Sequence, residues 1–295
     1  MPQEVPCNLC GSRRLALRNE KMSFLGLPTG LGIVECAGCG LTFMSPRPTQ
    51  EEYIRFYETA EIYSVDSYSR RADQRTEFYR RRLQAIGRER RAKGKFLEIG
   101  CATGSFLRLA QEAGWSVTGT EVSKPFQDHA VKRLGLDVRC ASTLAACGFS
   151  SGEFDVVYSA HVFEHLLDPM ATFVEVRRII KSSGLLVLEV PYQFYSLRDQ
   201  LRRYLIALTG RTGQGRFYSP VFSAVHHVYF FSPRTLSAMV NKAGFSVLRV
   251  RTYEKHHGQV IGDAPLGGYW LAEWMHRTGA VFGIGPIILL TASAA

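Results

Sequence analysis

No run of 18 or more uncharged apolar residues occurs in this 295-residue sequence, so nothing in it reads as a membrane-spanning helix. The most apolar stretch, Gly279 to Leu290, is too short. A basic start and an apolar core are both missing from Met1-Pro2-Gln3-Glu4-Val5-Pro6, which therefore does not read as a signal peptide. A cytoplasmic protein is the expectation. Internal repeats and low-complexity tracts are lacking as well. Acids are in deficit: 26 Asp and Glu stand against 36 Lys and Arg, a net charge of +10. The excess is concentrated. Between Arg70 and Lys95 eleven Lys or Arg meet three acids (Asp73, Glu77, Glu89), giving +8 of the +10. That segment reads either as a solvated charged helix or as a patch for RNA, an anionic lipid surface or a phosphorylated substrate.

What is present is ordinary in bulk and pointed in detail. A hydrophobic content of 46% supports a sizeable core, and the length suits one large domain plus a small one. Four of the seven cysteines form two pairs, Cys7-x-x-Cys10 and Cys36-x-x-Cys39, each followed at once by a glycine, Gly11 or Gly40. Such a knuckle points two thiolates at one centre, and two knuckles supply the four soft ligands of tetrahedral Zn²⁺. Two disulfides would be out of place in a cytosolic chain, and a redox pair has no need of duplication. A closed four-thiolate site leaves no position for substrate, so a structural zinc ribbon over residues 1–48 is expected. Cys101, Cys140 and Cys147 stand alone in apolar surroundings and read as small core residues.

Residues 49–95 form a basic helical connector, broken by Ala92-Lys93-Gly94-Lys95. Beyond it, strand-like runs fall at Phe96–Ile99, Ser116–Val122, Asp137–Cys140, Phe154–Ser159, Leu185–Val190 and Ser246–Val250, with a candidate at Ile284–Leu290. Helical segments lie between them: Ser105–Ala113, Pro125–Leu134, Pro169–Lys181 closed by Gly184, and Pro233–Ala243. This alternation predicts an α/β fold with a doubly wound, Rossmann-like, mostly parallel seven-stranded sheet over residues 96–295. Residues 191–231 interrupt it with about forty residues rich in Tyr, Phe and Arg, read as a cap over the C-terminal strand ends.

The turn after the first of these strands is Gly100-Cys101-Ala102-Thr103-Gly104, and Glu121 ends the next strand twenty-one residues after Gly100. A dinucleotide turn needs Gly-x-Gly-x-x-Gly, but Ala102 stands at the second glycine and Phe106 or Leu107 at the third, which disfavours a nicotinamide cofactor. Glu98 lies inside the strand, in an apolar run where a carboxylate needs partners.

The segment Leu97-Glu98-Ile99-Gly100-Cys101-Ala102-Thr103-Gly104 resembles the first motif of class I S-adenosylmethionine-dependent methyltransferases. Gly119-Thr120-Glu121-Val122-Ser123 resembles the second. Phe154-Asp155-Val156-Val157-Tyr158 with Glu164-His165-Leu166-Leu167-Asp168-Pro169 resembles the fourth-strand motif and its exit. Ser183 through Pro191 resembles the fifth, and His227 through Phe245 resembles the distal segment. Together with the cysteine pairs, the chain is similar to the subgroup with an N-terminal zinc ribbon, which often methylates small molecules such as sugars and polysaccharide precursors. The resemblance implies that Glu98 and the backbone at Gly100 hold the amino-acid end of S-adenosylmethionine. It implies further that Gly100, Ala102 and Gly104 form the floor, that Glu121 accepts the ribose hydroxyls and that Val122 flanks the adenine. The acid that often follows the third strand is absent; in Ala141-Ser142-Thr143, Ser142 is the substitute candidate.

Candidates for chemistry gather at the fourth-strand exit: His161, Glu164, His165 and Asp168. On a helix, His161, Glu164 and His165 would share one face. That trio resembles the Glu-x-x-Glu-His metal site of ubiquinone-pathway O-methyltransferases, with His161 in place of the first Glu. It reads as a metal site, as a general base at His165, or as a set in which Glu164 and His165 orient the loop and His161 lines the cofactor pocket. His226 and His227 sit where the cap rejoins the sheet, and His227 is the better placed to face substrate. His256 and His257 read as surface residues. Tyr192, Phe194, Tyr195, Phe217, Tyr218 and Phe222 line an acceptor pocket or form the cap's own core, and Arg198, Arg202 and Arg203 suit a phosphate or carboxylate.

A methyltransferase for a small molecule, possibly a sugar or polysaccharide-pathway intermediate, is the leading expectation. An RNA methyltransferase gripping RNA through the ribbon and basic helix is the alternative, although no Asn-Pro-Pro-Tyr-like motif follows the fourth strand. A non-enzymatic scaffold with a relic pocket is the third reading, and the intact Glu98, Gly100, Gly104 and Glu121 speak against it.

Overall fold

A computed structural model describes residues 4–22, 31–59, 64–73, 75–192, 227–253 and 287–294. The N-terminal strands β1 (Leu15–Met22), β2 (Leu31–Cys36) and β3 (Thr42–Met44) form an antiparallel sheet. Three helices follow rather than one, α1 (Gln50–Thr59), α2 (Val65–Asp73) and α3 (Thr76–Glu89). Thr49 and Glu52 form a reciprocal cap at the start of α1: Thr49 N–H donates to Glu52 Oε2 at 2.8 Å, and Glu52 N–H to Thr49 Oγ1 at 3.3 Å.

The alternating part then runs β4 (Lys95–Ile99), α4 (Ser105–Glu112), β5 (Ser116–Glu121), α5 (Lys124–Leu134), β6 (Val138–Cys140), β7 (Phe154–Ala160), α6 (Pro169–Ile179) and β8 (Ile180–Pro191). Further along the chain come β9 (Tyr229–Phe230), α7 (Pro233–Lys242), β10 (Phe245–Tyr253) and β11 (Ile287–Ala294). The large sheet has seven strands in the order β10-β11-β8-β7-β4-β5-β6. Strands β8, β7, β4, β5 and β6 pair in parallel, and β11 lies antiparallel between β8 and β10. This is the α/β, mostly parallel seven-stranded sheet that the alternation predicts. The sheet order reverses direction at β4, so the crevice over the tips of β4 and β5 is where such a sheet accepts a ligand.

Two boundaries differ from expectation. Gly184 does not close a helix: α6 ends at Ile179 and passes straight into β8, with a register shift between Phe154 and Val156 on the neighbouring strand. The chain folds back there so tightly that a Cβ on Gly184 would collide with Ile180 and come within 2.9 Å of Lys181 O, which is why glycine stands at that position. The last strand runs on to Ala294 rather than ending at Leu290, because it pairs with the full length of β10; residues 284–286 of the expected strand lie outside the described residues. The cap residues Phe194, Tyr195, Arg198, Arg202, Arg203, Phe217, Tyr218, Phe222 and His226 lie outside the described residues, as do His256 and His257.

Side chains alternate along the strands and build two cores. Leu97 and Ile99 of β4 join one with Leu41, Phe43, Phe230 and Phe231, so the N-terminal sheet shares a core with the large one. Phe96 joins the other, with Phe106, Leu107 and Ala110 of α4 and Trp115. Each such buried Phe or Leu contributes about 1.5–3 kcal/mol. The joint is also made by backbone pairing: β3 pairs with β9, Thr42 opposite Phe230 and Phe43 opposite Tyr229. Among the described residues no helix is long and apolar enough to cross a membrane.

Candidate functional site

Strand β4 ends in a turn whose backbone is forced into the left-handed region. Gly100 has φ 72° and Gly104 φ 80°. The amides of Gly100 and Cys101 both donate to Thr120 O, at 2.9 and 3.0 Å, which locks the turn against β5. A Cβ on Gly100 would overlap Val162, so the position accepts only glycine on two counts. Ala102 is also left-handed, with φ 47°. A non-glycine residue held there stores strain, and its amide is tied down: Ala102 N–H donates to Glu121 Oε2 at 2.9 Å.

Glu121, at the tip of β5, takes a second backbone donor at Oε1 from Ser123 N–H, also 2.9 Å. Burial raises its pKa, and these amides oppose the rise. Each carboxylate oxygen keeps a lone pair for a further donor. Glu98, inside β4, is buried, and its Oε2 has no hydrogen-bond partner among the described residues. Burial and then the charge of Glu121 push its pKa well up, against the Leu107 amide at the N-terminal turn of α4. An orphaned buried carboxylate oxygen beside a second carboxylate calls for a cationic hydrogen-bond donor.

Both acids open into one cavity of about 680 Å³, which Gly100, Ala102, Val122, Ser142 and His161 also line. Val122 leaves its apolar side chain 43% exposed there, a surface suited to a flat ring. Gly104 does not line the cavity. Its missing side chain instead admits Leu136, 2.7 Å from where a Cβ would stand, so it serves packing between α4 and α5. Several aromatic or basic residues on the wall escape sequence reasoning, among them Tyr53 from α1, Tyr68 from α2, Arg75 just before α3 and Tyr79 on α3. Arg75 hydrogen-bonds Tyr79, whose hydroxyl burial pushes up.

The β7 exit differs from the expected helix. The chain enters at His161 with φ 57° and then makes a short 3₁₀ turn, Phe163–His165. Glu164 is fully buried, and its Oε1 lies 3.5 Å from His161 Nδ1, 3.8 Å from His165 Nε2 and 3.9 Å from His227 Nε2. The mutually close set of potential donors is therefore Glu164, His165 and His227 rather than His161, Glu164 and His165. The reason is that no helix forms to align 161 with 165, while the ring of His227 arrives from the segment before β9 and packs edge-on against His165 at 4.6 Å. One carboxylate and two imidazoles form a donor set that a divalent cation accepts. Only His165 of the three lines the cavity, and its Nδ1 faces Tyr53 Oη at 3.4 Å. Asp168 lines the cavity as well and caps α6, accepting from Ala171 N–H at 2.9 Å.

The cysteine pairs converge. Cys7 Sγ lies 3.5 Å from Cys39 Sγ and Cys10 Sγ 3.5 Å from Cys36 Sγ, with all four sulfurs within 4.8 Å of one another. A tetrahedron with Zn–S bonds of about 2.3 Å has sulfurs about 3.8 Å apart, which the set matches. Burial pushes the thiol of Cys7 up to about 11 and raises Cys39 as well. Against its own burial, the Cys39 and Gly38 amides bring Cys36 down to about 7. Four thiols this close cannot all ionise without a cation among them. All seven cysteines are free.

A family model described as a methyltransferase domain matches residues 71–250. Ubiquinone biosynthesis O-methyltransferase of Parvibaculum lavamentivorans is 30% identical over 123 residues, 39% of this chain and 45% of that protein. 2-Methyl-6-phytyl-1,4-hydroquinone methyltransferase of Synechocystis is 33% identical over 95 residues, 31% of this chain and 30% of that protein. The chain thus matches less than half the length of either relative. A solved Thermotoga maritima structure, described as a SAM-dependent methyltransferase and possible histamine N-methyltransferase, shares the fold. Its TM-score is 0.53 at 20% identity, over 82% of this chain and 100% of that one.

Proposed function

The chain belongs to the methyltransferase-domain family, and from that membership we propose that it is an S-adenosylmethionine-dependent methyltransferase acting on a small molecule. The carrying observation is the pair of raised carboxylates in one cavity, with Glu98 Oε2 lacking a partner among the described residues. Glu98 holds the cofactor's ammonium, and Glu121 accepts the two ribose hydroxyls. Val122 lies against the adenine and Ser142 meets its amino group, while Arg75 supplies a cation for the carboxylate end. When bound, the cofactor supplies an electrophilic methyl group. The chain's part is to align an acceptor with it, exclude water and take up a proton. His165, on the cavity wall with Glu164 and His227 behind it, is the group placed to receive that proton.

The acceptor class we favour is a sugar or other polysaccharide-pathway intermediate, with a quinol-like ring, suggested by the relatives' names, as the competing small molecule. RNA is the alternative partner; of the basic segment, Arg82 is withdrawn from it by pairing with the buried Glu189. The four cysteines bind structural Zn²⁺, and a four-thiolate site with no disulfide among the seven cysteines suits a reducing compartment such as the cytoplasm.

Mass spectrometry of the purified protein for co-bound S-adenosylhomocysteine tests the cofactor. Incubation with S-adenosylmethionine and, in parallel, a nucleoside-diphosphate sugar, 3,4-dihydroxybenzoate and a structured RNA tests the acceptor. Methylation of the sugar supports the full reading, the catechol alone supports the quinol class, and RNA alone overturns the small-molecule assignment.

A further inference from the structure

The cysteine cluster is bolted to the acceptor side of the site. Asn8, inside the first knuckle, donates from Nδ2 to Asp168 Oδ1 and accepts at Oδ1 from Met170 N–H, both at 2.9 Å. Asp168 is the N-cap of α6 and ends the short loop that carries Glu164 and His165. The second fastening is made of backbone. Met44 N–H of β3 donates to Val228 O at 2.8 Å, and Val228 N–H donates to Glu164 O at 2.7 Å. His227, next in the chain, is thereby fixed between the N-terminal sheet and Glu164. Arg47, just after β3, reaches Leu167 O and Tyr229 Oη. Third, both knuckles accept side chains from α7: Lys242 Nζ donates to Leu9 O at 2.5 Å and Arg234 Nη2 to Cys39 O at 3.0 Å.

The cofactor cradle is held differently. Its hydrogen bonds join β4, β5 and their own turns, and its packing partners Cys101, Phe106 and Leu107 belong to the core on the opposite face of the sheet. The two halves touch where Gly100 meets Val162 and share the core that holds Leu97 and Ile99, but among the described residues none of these cradle hydrogen bonds reaches the N-terminal sheet.

We propose that the four-cysteine ribbon is the positioning element for Glu164, His165 and His227, with Asn8 as its contact residue. Metal loading of the ribbon then governs the acceptor side and leaves the cofactor cradle as it is. The inference rests on the methyltransferase reading for its functional meaning. Its physical basis is that a two-knuckle ribbon folds only with its ion. Without the ion, Asn8, Leu9 and Cys39 lose the geometry that meets Asp168, Lys242 and Arg234.

The test compares three samples of the full chain: zinc-loaded, zinc-stripped, and Asn8→Ala with zinc retained. Amide hydrogen exchange, S-adenosylhomocysteine calorimetry and the imidazole nitrogen NMR shifts of His165 and His227 are read in each. In zinc-stripped protein, exchange rises across residues 161–172 and 227–231. In Asn8→Ala it rises about fivefold or more at Met170 and Ala171, as the loss of one hydrogen bond implies. The imidazole shifts of His165 and His227 move in both, whereas S-adenosylhomocysteine affinity stays within about twofold, a change too small to matter energetically.

Unchanged exchange and shifts overturn the proposal, as does affinity lost in step with them. If stripping unfolds the chain, the Asn8→Ala sample decides, since its cysteines are intact. If the zinc-loaded protein binds no S-adenosylhomocysteine, the methyltransferase reading fails, and the exchange and shift data still decide whether the ribbon holds this loop.

Discussion

Glu98, inside β4, and Glu121, the last residue of the adjacent parallel strand β5, have their carboxylates in one cavity, and the charge of Glu121 adds to the burial that raises Glu98. A carboxylate whose folded pKa is raised stays protonated in the folded chain after the unfolded chain has released its proton. Its contribution to stability is therefore fully present below the ordinary value of 4.5 and is lost as pH climbs toward the raised folded value. Thermal melts of the ligand-free protein are expected to show Tm falling with pH above that value. Glu98→Gln flattens the fall, and so does saturation with S-adenosylhomocysteine, whose ammonium compensates the charge. Parallel pH profiles for wild type and variant would contradict this assignment.

The turn makes a paired prediction about backbone. Gly100→Ala adds a Cβ that overlaps Val162 at a left-handed position, and costs about 3 kcal/mol from strain and overpacking together. Ala102→Gly removes left-handed strain of about 1–2 kcal/mol while adding about 0.5–1 kcal/mol of chain entropy, so it is neutral to mildly stabilising. Urea denaturation of the two variants gives both signs.

The convergence of Glu98, Gly100 and Glu121 is legible in the sequence, and the contacts that are not share a cause. Glu98, Gly100 and Glu121 stand within one strand-turn-helix-strand unit, so their juxtaposition follows from local spacing. Ala102 was read as a missing glycine; the backbone takes the glycine conformation regardless, because its amide is tied to Glu121. The sequence groups His161 with Glu164 and His165 only if a helix starts there, and the chain makes a 3₁₀ turn instead. The residues that do meet, His227 with Glu164 and Tyr53 with His165, come from distant segments joined by the pairing of β3 with β9 and by the capped start of α1. The Thr49-x-x-Glu52 cap was a usable signal for where α1 begins, and hence for Tyr53. Nothing in the spacing of Asn8 and Asp168 announces their contact.

A further buried acid, Glu189, lies on the cavity wall. Glu189 accepts from Arg82 Nε at 2.5 Å, from Tyr158 Oη at 2.9 Å and from Tyr253 Oη, and this network pins α3 to the sheet. Arg82→Met leaves Glu189 as an uncompensated buried charge and costs about 3–5 kcal/mol. Adding Glu189→Gln to that variant recovers most of the loss. A single variant within about 1 kcal/mol of wild type would mean the pair is not buried as described.

The ribbon predicts one zinc per chain by atomic absorption. Cys36→Ser removes one of four thiolates and abolishes stoichiometric binding, whereas Cys140→Ser, an exposed thiol distant in sequence from both knuckles, leaves it intact. Equal zinc content in both variants would contradict a four-thiolate site.

The most direct measurement is isothermal calorimetry of S-adenosylhomocysteine with wild type and Glu121→Ala. Wild type is expected to bind one ligand per chain. The variant, deprived of a charged acceptor for two hydroxyls, should bind at least about tenfold more weakly, since hydrogen bonds to a charged group are worth about 1.5–3 kcal/mol. Equal affinity in the two proteins, or no binding by the wild type, would contradict the account.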